Sequence, residues 1–341
     1  MPACHDLMEE NVLEVEDLHV QVETFEGLSK VVDGLSAAVH KGETVALVGE
    51  TGCGKSLTSK AILRLIPCPP GRVFGKIFFK GKDLLEMGEN EFSLLRGKGI
   101  SMIPQHPHTS LNPLLTVGRQ LEDVILYQGK VNVNWGEYAG NSMNKDLKKK
   151  MRERSIEMLD ELAIPSPQLI LDRLPHELSG GMRQRVLMAM ALAGNPDLLI
   201  ADEPGTALDV TVQDRIVRLL RERIEKRNLS VLYITHNLGV AKMLSQRICV
   251  MYAGRIVESA NVNTIFENPL HPYTVGLIGS VPRLTGGIGR GIDGWIPDYV
   301  NPPVGCRFYP RCERGMPICK NVPEFIEVET DHRVACYLYG R

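Results

Sequence analysis

The chain has 341 residues, with 39 basic against 41 acidic side chains and a net charge of −2, so its overall charge gives no pull toward a nucleic-acid backbone. Apolar residues make up 43% and charged residues 23%, which excludes a largely disordered chain and fits two domains, or one large domain with appendages. The longest uninterrupted apolar run, Val186 to Ala193, is eight residues, well short of the ~20 a membrane-spanning helix needs. The amino end, Met1-Pro-Ala-Cys-His-Asp6, lacks the basic region and apolar core of an export signal.

Leu13 to Val20 alternates and predicts a strand, and Thr44 to Val48 is a short apolar run that predicts a buried one. Directly after it comes Gly49-Glu-Thr-Gly-Cys-Gly-Lys-Ser56, which fits G-x-x-x-x-G-K-[ST] at every fixed position and leads into a helix starting near Gly54. Gly49, Glu50, Thr51, Gly52, Cys53 and Gly54 supply a backbone that curls its N–H groups around phosphate oxygens. Lys55 is placed to reach the β- and γ-phosphates and Ser56 to ligate Mg²⁺. Lys76 to Lys82 alternates again and predicts a sheet peripheral to the first, and Ile100 to Ile103 predicts another buried strand.

From about Leu111 to Glu177 the pattern is helical and polar, interrupted by a stretch of loop composition from Gln128 to Asn144. Gly181 to Ala193 predicts a helix whose start, Ser179-Gly180-Gly181, is a second anion site. Leu198 to Asp202 predicts a strand ending in two adjacent acids. Neighbouring strand residues face opposite sides, so Asp202 is read as a Mg²⁺ holder and Glu203 as general base toward water. Val210 to Lys226 predicts an amphipathic helix, with strands at Val231 to Thr235 and Ile248 to Tyr252. This alternation implies an α/β fold with a mostly parallel sheet covered on both faces. From about Asn268 the chain is rich in Pro and Gly and reads as a separate, loop-rich appendage.

Four of the eight cysteines crowd into the last 36 residues. Cys306, Cys312, Cys319 and Cys336 follow C-x5-C-x6-C-x16-C, a set that holds zinc or an iron–sulfur cluster. Structural zinc favours pairs two to four residues apart, so these wider gaps suit the larger object.

Leu178-Ser-Gly-Gly-Met-Arg-Gln-Arg185 resembles the signature motif of ABC transporter ATPases, and other positions fall in line with it. Gln105 matches the Q-loop glutamine, Ala207-Leu-Asp209 the D-loop, and Thr235-His236 the switch histidine. Two positions depart from the common pattern: Gly205 stands where Thr is usual, and Asn237 follows the histidine where Asp is usual. Ser110-Leu-Asn-Pro113, Asp209-Val-Thr211, Asn268-Pro-Leu-His-Pro-Tyr-Thr274 and the cysteine-bearing tail are similar to the dipeptide, oligopeptide and nickel importer group of that family.

The resemblance implies an ABC ATPase core of residues 1–267, with a RecA-like parallel sheet, an antiparallel β subdomain and a helical signature subdomain at about 111–195. Residues 268–341 form the extension that carries a 4Fe–4S cluster, zinc being the alternative. It implies ATP and Mg²⁺ as ligands, with Ser56, Gln105 and Asp202 on the metal and His236 on the γ-phosphate and attacking water. Ser179, Gly180 and Gly181 act on the nucleotide of a partner subunit. Phe25 is the candidate to stack on adenine, Val22 being the other residue for that slot. The implied partners are a homologous second ATPase, two transmembrane permeases and an extracellular solute-binding protein, with no nucleic acid. The chain is then peripheral, on the cytoplasmic face of the membrane through the permeases. Dipeptides, longer peptides and nickel all stay open as solute, and a soluble ABC-type ATPase without transport is the alternative from another class.

Overall fold

The computed structural model describes residues 10–128, 145–205, 209–281 and 291–340. The chain divides into two compact units, one built from both ends of the sequence (up to Gly88 and from Ser230 onward) and the other from Glu89–Leu229.

In the first unit, β1 (Asn11–Thr24) and β2 (Gly27–His40) form a long antiparallel hairpin. Leu13 and Val15 are buried, and so are Leu18 and Val20, so the inward parity changes between them. A register shift lies there, and Asp17 takes a left-handed φ of 47°. A bulge therefore re-aims the second half of the strand to the same core. β4 (Gly71–Phe79) pairs antiparallel with β1, and the short β5 (Lys82–Asp83) with β4. The stretch expected as a peripheral sheet is thus part of the same four-stranded sheet as β1 and β2. It breaks at Phe79, because Lys80 and Gly81 make a turn with positive φ.

The strand β3 (Thr44–Val48) runs parallel between β8 (Ser230–Thr235) and β9 (Arg247–Tyr252). β3 and β8 are buried at every residue, as a parallel strand covered on both faces must be. β10 (Arg255–Asn261) turns back against β9. The extension then adds two strands, β12 (His332–Val334) on β10 and β11 (Ile326–Glu329) on β12. Glu258 of β10 is fully buried and accepts from the N–H groups of Leu270 and His271, both at 2.8 Å, and lies 2.8 Å from His332 Nε2. One carboxylate thus anchors the start of the helix Pro272–Gly279 and strand β12 together. Tyr252, Tyr273 and Phe308 close the core there, with ring centroids 4.6 to 5.5 Å apart.

Asp33 of β2 ties the hairpin to the extension. It accepts from Arg255 Nε at 3.0 Å and Nη2 at 2.6 Å and from Arg307 Nη2 at 3.0 Å. Burial works against the carboxylate, but the hydrogen bond and charge of Arg255, with the charges of Arg307 and His19, hold its pKa below the ordinary 3.8. The folded chain therefore binds fewer protons here than the unfolded chain. The resulting stability is fully present above about pH 4 and is lost as pH falls through the folded value. Asp33→Asn strands the buried Arg307 guanidinium and is expected to cost about 3 kcal/mol at neutral pH. Urea midpoints of parent and variant check this: they differ at pH 7 and converge as pH falls below the folded carboxyl's lowered value.

In the second unit, β6 (Ile100–Ile103) and β7 (Leu198–Asp202) pair in parallel, and β7 is buried throughout. The helices Val117–Tyr127, Lys145–Asp160, Gly180–Leu192 and Val210–Arg227 make up the rest of what positions the site. Lys145–Asp160 buries Met151, Ser155, Met158 and Leu159, one face at helical spacing. The loop-like stretch read at Gln128 to Asn144 lies, but for Gln128, outside the described residues. Among the described residues no helix is long and apolar enough to cross a membrane.

Candidate active site

The phosphate loop leaves the end of β3 and caps the helix Lys55–Ile62. Its glycines are required by space and by backbone. A Cβ on Gly49 would lie 2.2 Å from the Met251 carbonyl oxygen, and Gly54, the helix N-cap, has φ +108° with Val31 O and Met251 Cε close by. Any other residue at Gly49 would push β9 away from the loop. Lys55 is buried and folds back on its own loop, its Nζ donating to Gly49 O at 2.8 Å and Glu50 O at 2.9 Å. An ammonium held over the loop by two carbonyls and the Cys53 sulfur at 3.7 Å suits an incoming phosphate, whose oxygens replace neutral acceptors with charged ones. Cys53 is wholly buried, and burial pushes its thiol above the ordinary value against the pull of Lys55. Thr51 and Gly52 are exposed and Ser56 is half-buried at the start of the helix.

In the same unit His236 follows the last residue of β8 and is exposed. Asn237, where Asp is usual, caps the helix Leu238–Leu244: its Oδ1 accepts from Gly239 N at 2.9 Å and Val240 N at 3.3 Å. An amide oxygen serves that purpose as a carboxylate does, so the departure costs the segment no cap. Phe25 stands at the tip of the β1–β2 hairpin, fully exposed, and Val22 lies further down β1.

In the other unit Asp202 ends β7 and is buried, and Glu203 is buried beside it. Strand alternation, the expected reason for their different roles, is not what separates the two carboxylates. Glu203 is already out of the strand, with a left-handed φ of 44°, a conformation that costs a non-glycine residue about 1 kcal/mol or more and marks a held site. Gln105 Nε2 donates to Glu203 Oε2 at 2.9 Å, so the glutamine expected as a metal ligand is found on the candidate base. Gly205 has Gln213 Cγ 2.8 Å from where its Cβ would be, so a larger residue there requires the Gln213 side chain to shift. Ser179 is the N-cap of the helix Gly180–Leu192, with Oγ accepting from Met182 N at 3.4 Å, and Gly181 is packed against Val212. Asp209 caps the next helix through Val212 N at 2.9 Å; Ala207 and Leu208 lie outside the described residues. Within this unit Asp202 and Gln105 offer a carboxylate and an amide oxygen, hard donors of the kind that suit Mg²⁺, and in the first unit Ser56 offers a hydroxyl of the same character.

Cys306, Cys312, Cys319 and Cys336 line one narrow cavity of about 20 Å³ in the extension. Burial, then the neighbouring thiols, push Cys306 up to about 11, and burial raises Cys312 and Cys336 as well. Among the described residues no group of three or more His, Cys, Asp or Glu side chains is already arranged to hold a metal ion. His271 lines the same cavity. Burial drives its imidazole down to about 3, so it is neutral and its Nδ1 accepts from Tyr273 N at 3.1 Å.

The extension also touches the phosphate loop. Tyr273 and Arg311 reach Glu50 across 223 and 261 positions of sequence, contacts that no local pattern announces. The only signal is indirect, in that both residues fall within stretches similar to the importer group.

The ABC transporter family matches residues 32–206, and the C-terminal region of oligopeptide/dipeptide transporters matches residues 257–319. The dipeptide transport ATP-binding protein DppD of Bacillus subtilis (strain 168) is 45% identical over 333 residues, 96% of this chain and 95% of that protein. The oligopeptide transport ATP-binding protein OppD of Salmonella typhimurium is 41% identical, over 96% of this chain and 93% of its own. An ATP-binding cassette solved as a dimer in a post-hydrolysis state with ADP and Pi shares the fold, with a TM-score of 0.61 at 24% identity over 73% of this chain and 98% of that one. With a phosphate loop, a strand ending in paired acids and a signature helix start in place, and with relatives matching nearly end to end, the chain belongs to the ABC transporter ATP-binding subunits, in the group of the dipeptide and oligopeptide importers.

Proposed function

We propose that this subunit hydrolyses ATP to drive import of dipeptides or oligopeptides, working from the cytoplasmic face of the membrane. It pairs with a homologous ATPase, docks on two permeases and depends on an extracellular solute-binding protein. The observation that carries the reading is the near end-to-end match, at 45% identity, to a protein named for dipeptide transport. Residues 1–267 then serve as the ATPase domain, with the helical part at about 111–195, and 268–341 as the extension.

Glu203 acts as general base on water, with His236 at the γ-phosphate and Phe25 against adenine. Gly49 to Ser56 cradle the phosphates, and Ser179, Gly180 and Gly181 close on the nucleotide of the paired subunit. Ser56, Gln105 and Asp202 would hold Mg²⁺, which when bound neutralises charge on the phosphate oxygens. What supports Glu203 as base is its position: a buried carboxylate, held by Gln105 and by a left-handed backbone, directly after the strand that ends in Asp202.

The four cysteines would hold a 4Fe–4S cluster, which would staple a segment poor in apolar residues. Their gathering around one cavity supports this. Zinc, which four thiolates also hold, is the alternative occupant. One preparation tests the whole reading. The complete transporter, purified without oxygen and placed in vesicles with its binding protein, is expected to accumulate labelled di- and oligopeptides and to carry iron and acid-labile sulfide. Accumulation of nickel in place of peptides would overturn the solute, and stoichiometric zinc without sulfide would overturn the cluster.

A further inference from the structure

The first turn of the phosphate loop is held from outside by the carboxy-terminal extension. Arg311, almost fully buried, donates from Nη1 to Glu50 Oε2 at 2.9 Å and from Nη2 to Glu50 Oε1 at 3.2 Å, a two-pronged charge-assisted contact. The guanidinium is itself fixed, with Nε on Asp293 O at 2.8 Å, Nη2 on Ile292 O at 3.2 Å and Nη1 on Tyr252 Oη at 3.3 Å. The Glu50 N–H donates to Tyr273 Oη at 2.9 Å, and Tyr273 is fully buried against Tyr252 and Phe308. Tyr299 Oη donates to Gly52 O at 2.8 Å, while its own carbonyl takes the N–H of Lys30 in β2.

A loop that binds phosphate through backbone N–H groups loses affinity to the extent that it must be ordered first. Here the ordering is done in advance, at the Glu50 side chain, the Glu50 N–H and the Gly52 carbonyl. We propose that Arg311, Tyr273 and Tyr299 are positioning residues that hold the phosphate loop in its binding shape, so that the extension sets the affinity of this subunit for Mg-ATP.

The inference rests on the phosphate-loop reading, and the experiment separates the two. Mg-ATP affinity is measured by calorimetry on the full-length chain carrying Arg311→Met, Arg311→Lys, Tyr299→Phe or Lys55→Ala, with hydrogen exchange followed over residues 49–54. Arg311→Met is expected to weaken binding about tenfold, and Tyr299→Phe, which removes one oxygen and leaves the ring, about threefold. Arg311→Lys keeps the charge without the fork and recovers part of the loss. In the assembled transporter KM for ATP rises by the same factors while kcat at saturating ATP stays within about twofold. Backbone amides of residues 49–54 exchange faster, and those of the helix Val210–Arg227 do not change. If Arg311→Met and Tyr299→Phe bind Mg-ATP like the parent while Lys55→Ala does not, the inference is wrong and the phosphate-loop reading stands. If Lys55→Ala also binds like the parent, the phosphate-loop reading itself fails and the inference with it. A chain that melts early with Arg311→Met leaves Tyr299→Phe to decide, and unchanged affinity there overturns the proposal.

Discussion

Glu203→Gln is expected to leave Mg-ATP bound within about twofold of the parent affinity and to lower turnover of the assembled transporter by about a hundredfold or more. The substitution is nearly isosteric. The amide that replaces the carboxylate still offers an oxygen to Gln105 Nε2, so the contact now made at 2.9 Å survives, as does the left-handed turn that lifts the side chain out of β7. What disappears is the ability to take a proton from water. ATP should therefore accumulate unhydrolysed on a closed pair of subunits, seen as a complex that retains labelled ATP through gel filtration. Hydrolysis close to the parent rate would remove Glu203 from the role of base.

Lys55→Ala acts at an earlier stage. The ammonium is buried and bound to Gly49 O and Glu50 O, neutral acceptors that a phosphate outcompetes. Its loss removes a charge-assisted contact to ground-state phosphates of about 1.5–3 kcal/mol, roughly 10- to 150-fold in Kd. Calorimetric titration with Mg-ATP checks the magnitude. KM should rise far more than kcat falls, the reverse of the Glu203→Gln pattern, and the two variants together separate binding from chemistry.

The parts of the site legible in the sequence are those made from neighbours in the chain. The run from Thr44 to Ser56 carries its strand, its turn glycines and its helix start within thirteen consecutive positions. Leu198 to Glu203 does the same for the acids, and Ser179 caps its own helix. Side-chain period fails where the backbone leaves its regular path. Asp17 shifts β1 by a bulge, and Glu203 departs from β7 through a positive φ, so alternation predicts the wrong reason for the separation of Asp202 and Glu203. Beyond its composition, its cysteine spacing and its resemblance to the importer group, the folding of the extension is illegible, because what orders it is remote. Glu258 gathers Leu270, His271 and His332, and Asp33 meets Arg255 and Arg307 across more than 200 residues. Proline and glycine content correctly marks that segment as loop-rich, and it hides the two strands that join β10.

The position of β3 has a consequence for biosynthesis. The strand and its phosphate loop leave the ribosome well before their sheet neighbours β8 and β9. The contact of Gly42 with Ser230 closes 188 positions and that of Glu43 with Arg247 closes 204. At about ten residues per second, a nascent β3 waits roughly 20 s for both partners. The compact unit Glu89–Leu229 is contiguous and is translated in full during that wait. An apolar strand with two open edges is a template for pairing with other chains. The nascent chain is therefore most prone to aggregate after the phosphate loop has been made and before about residue 252 has emerged. Slowing translation across that interval should reduce the soluble yield, whereas slowing it only after residue 252 leaves β3 already paired and the yield unchanged.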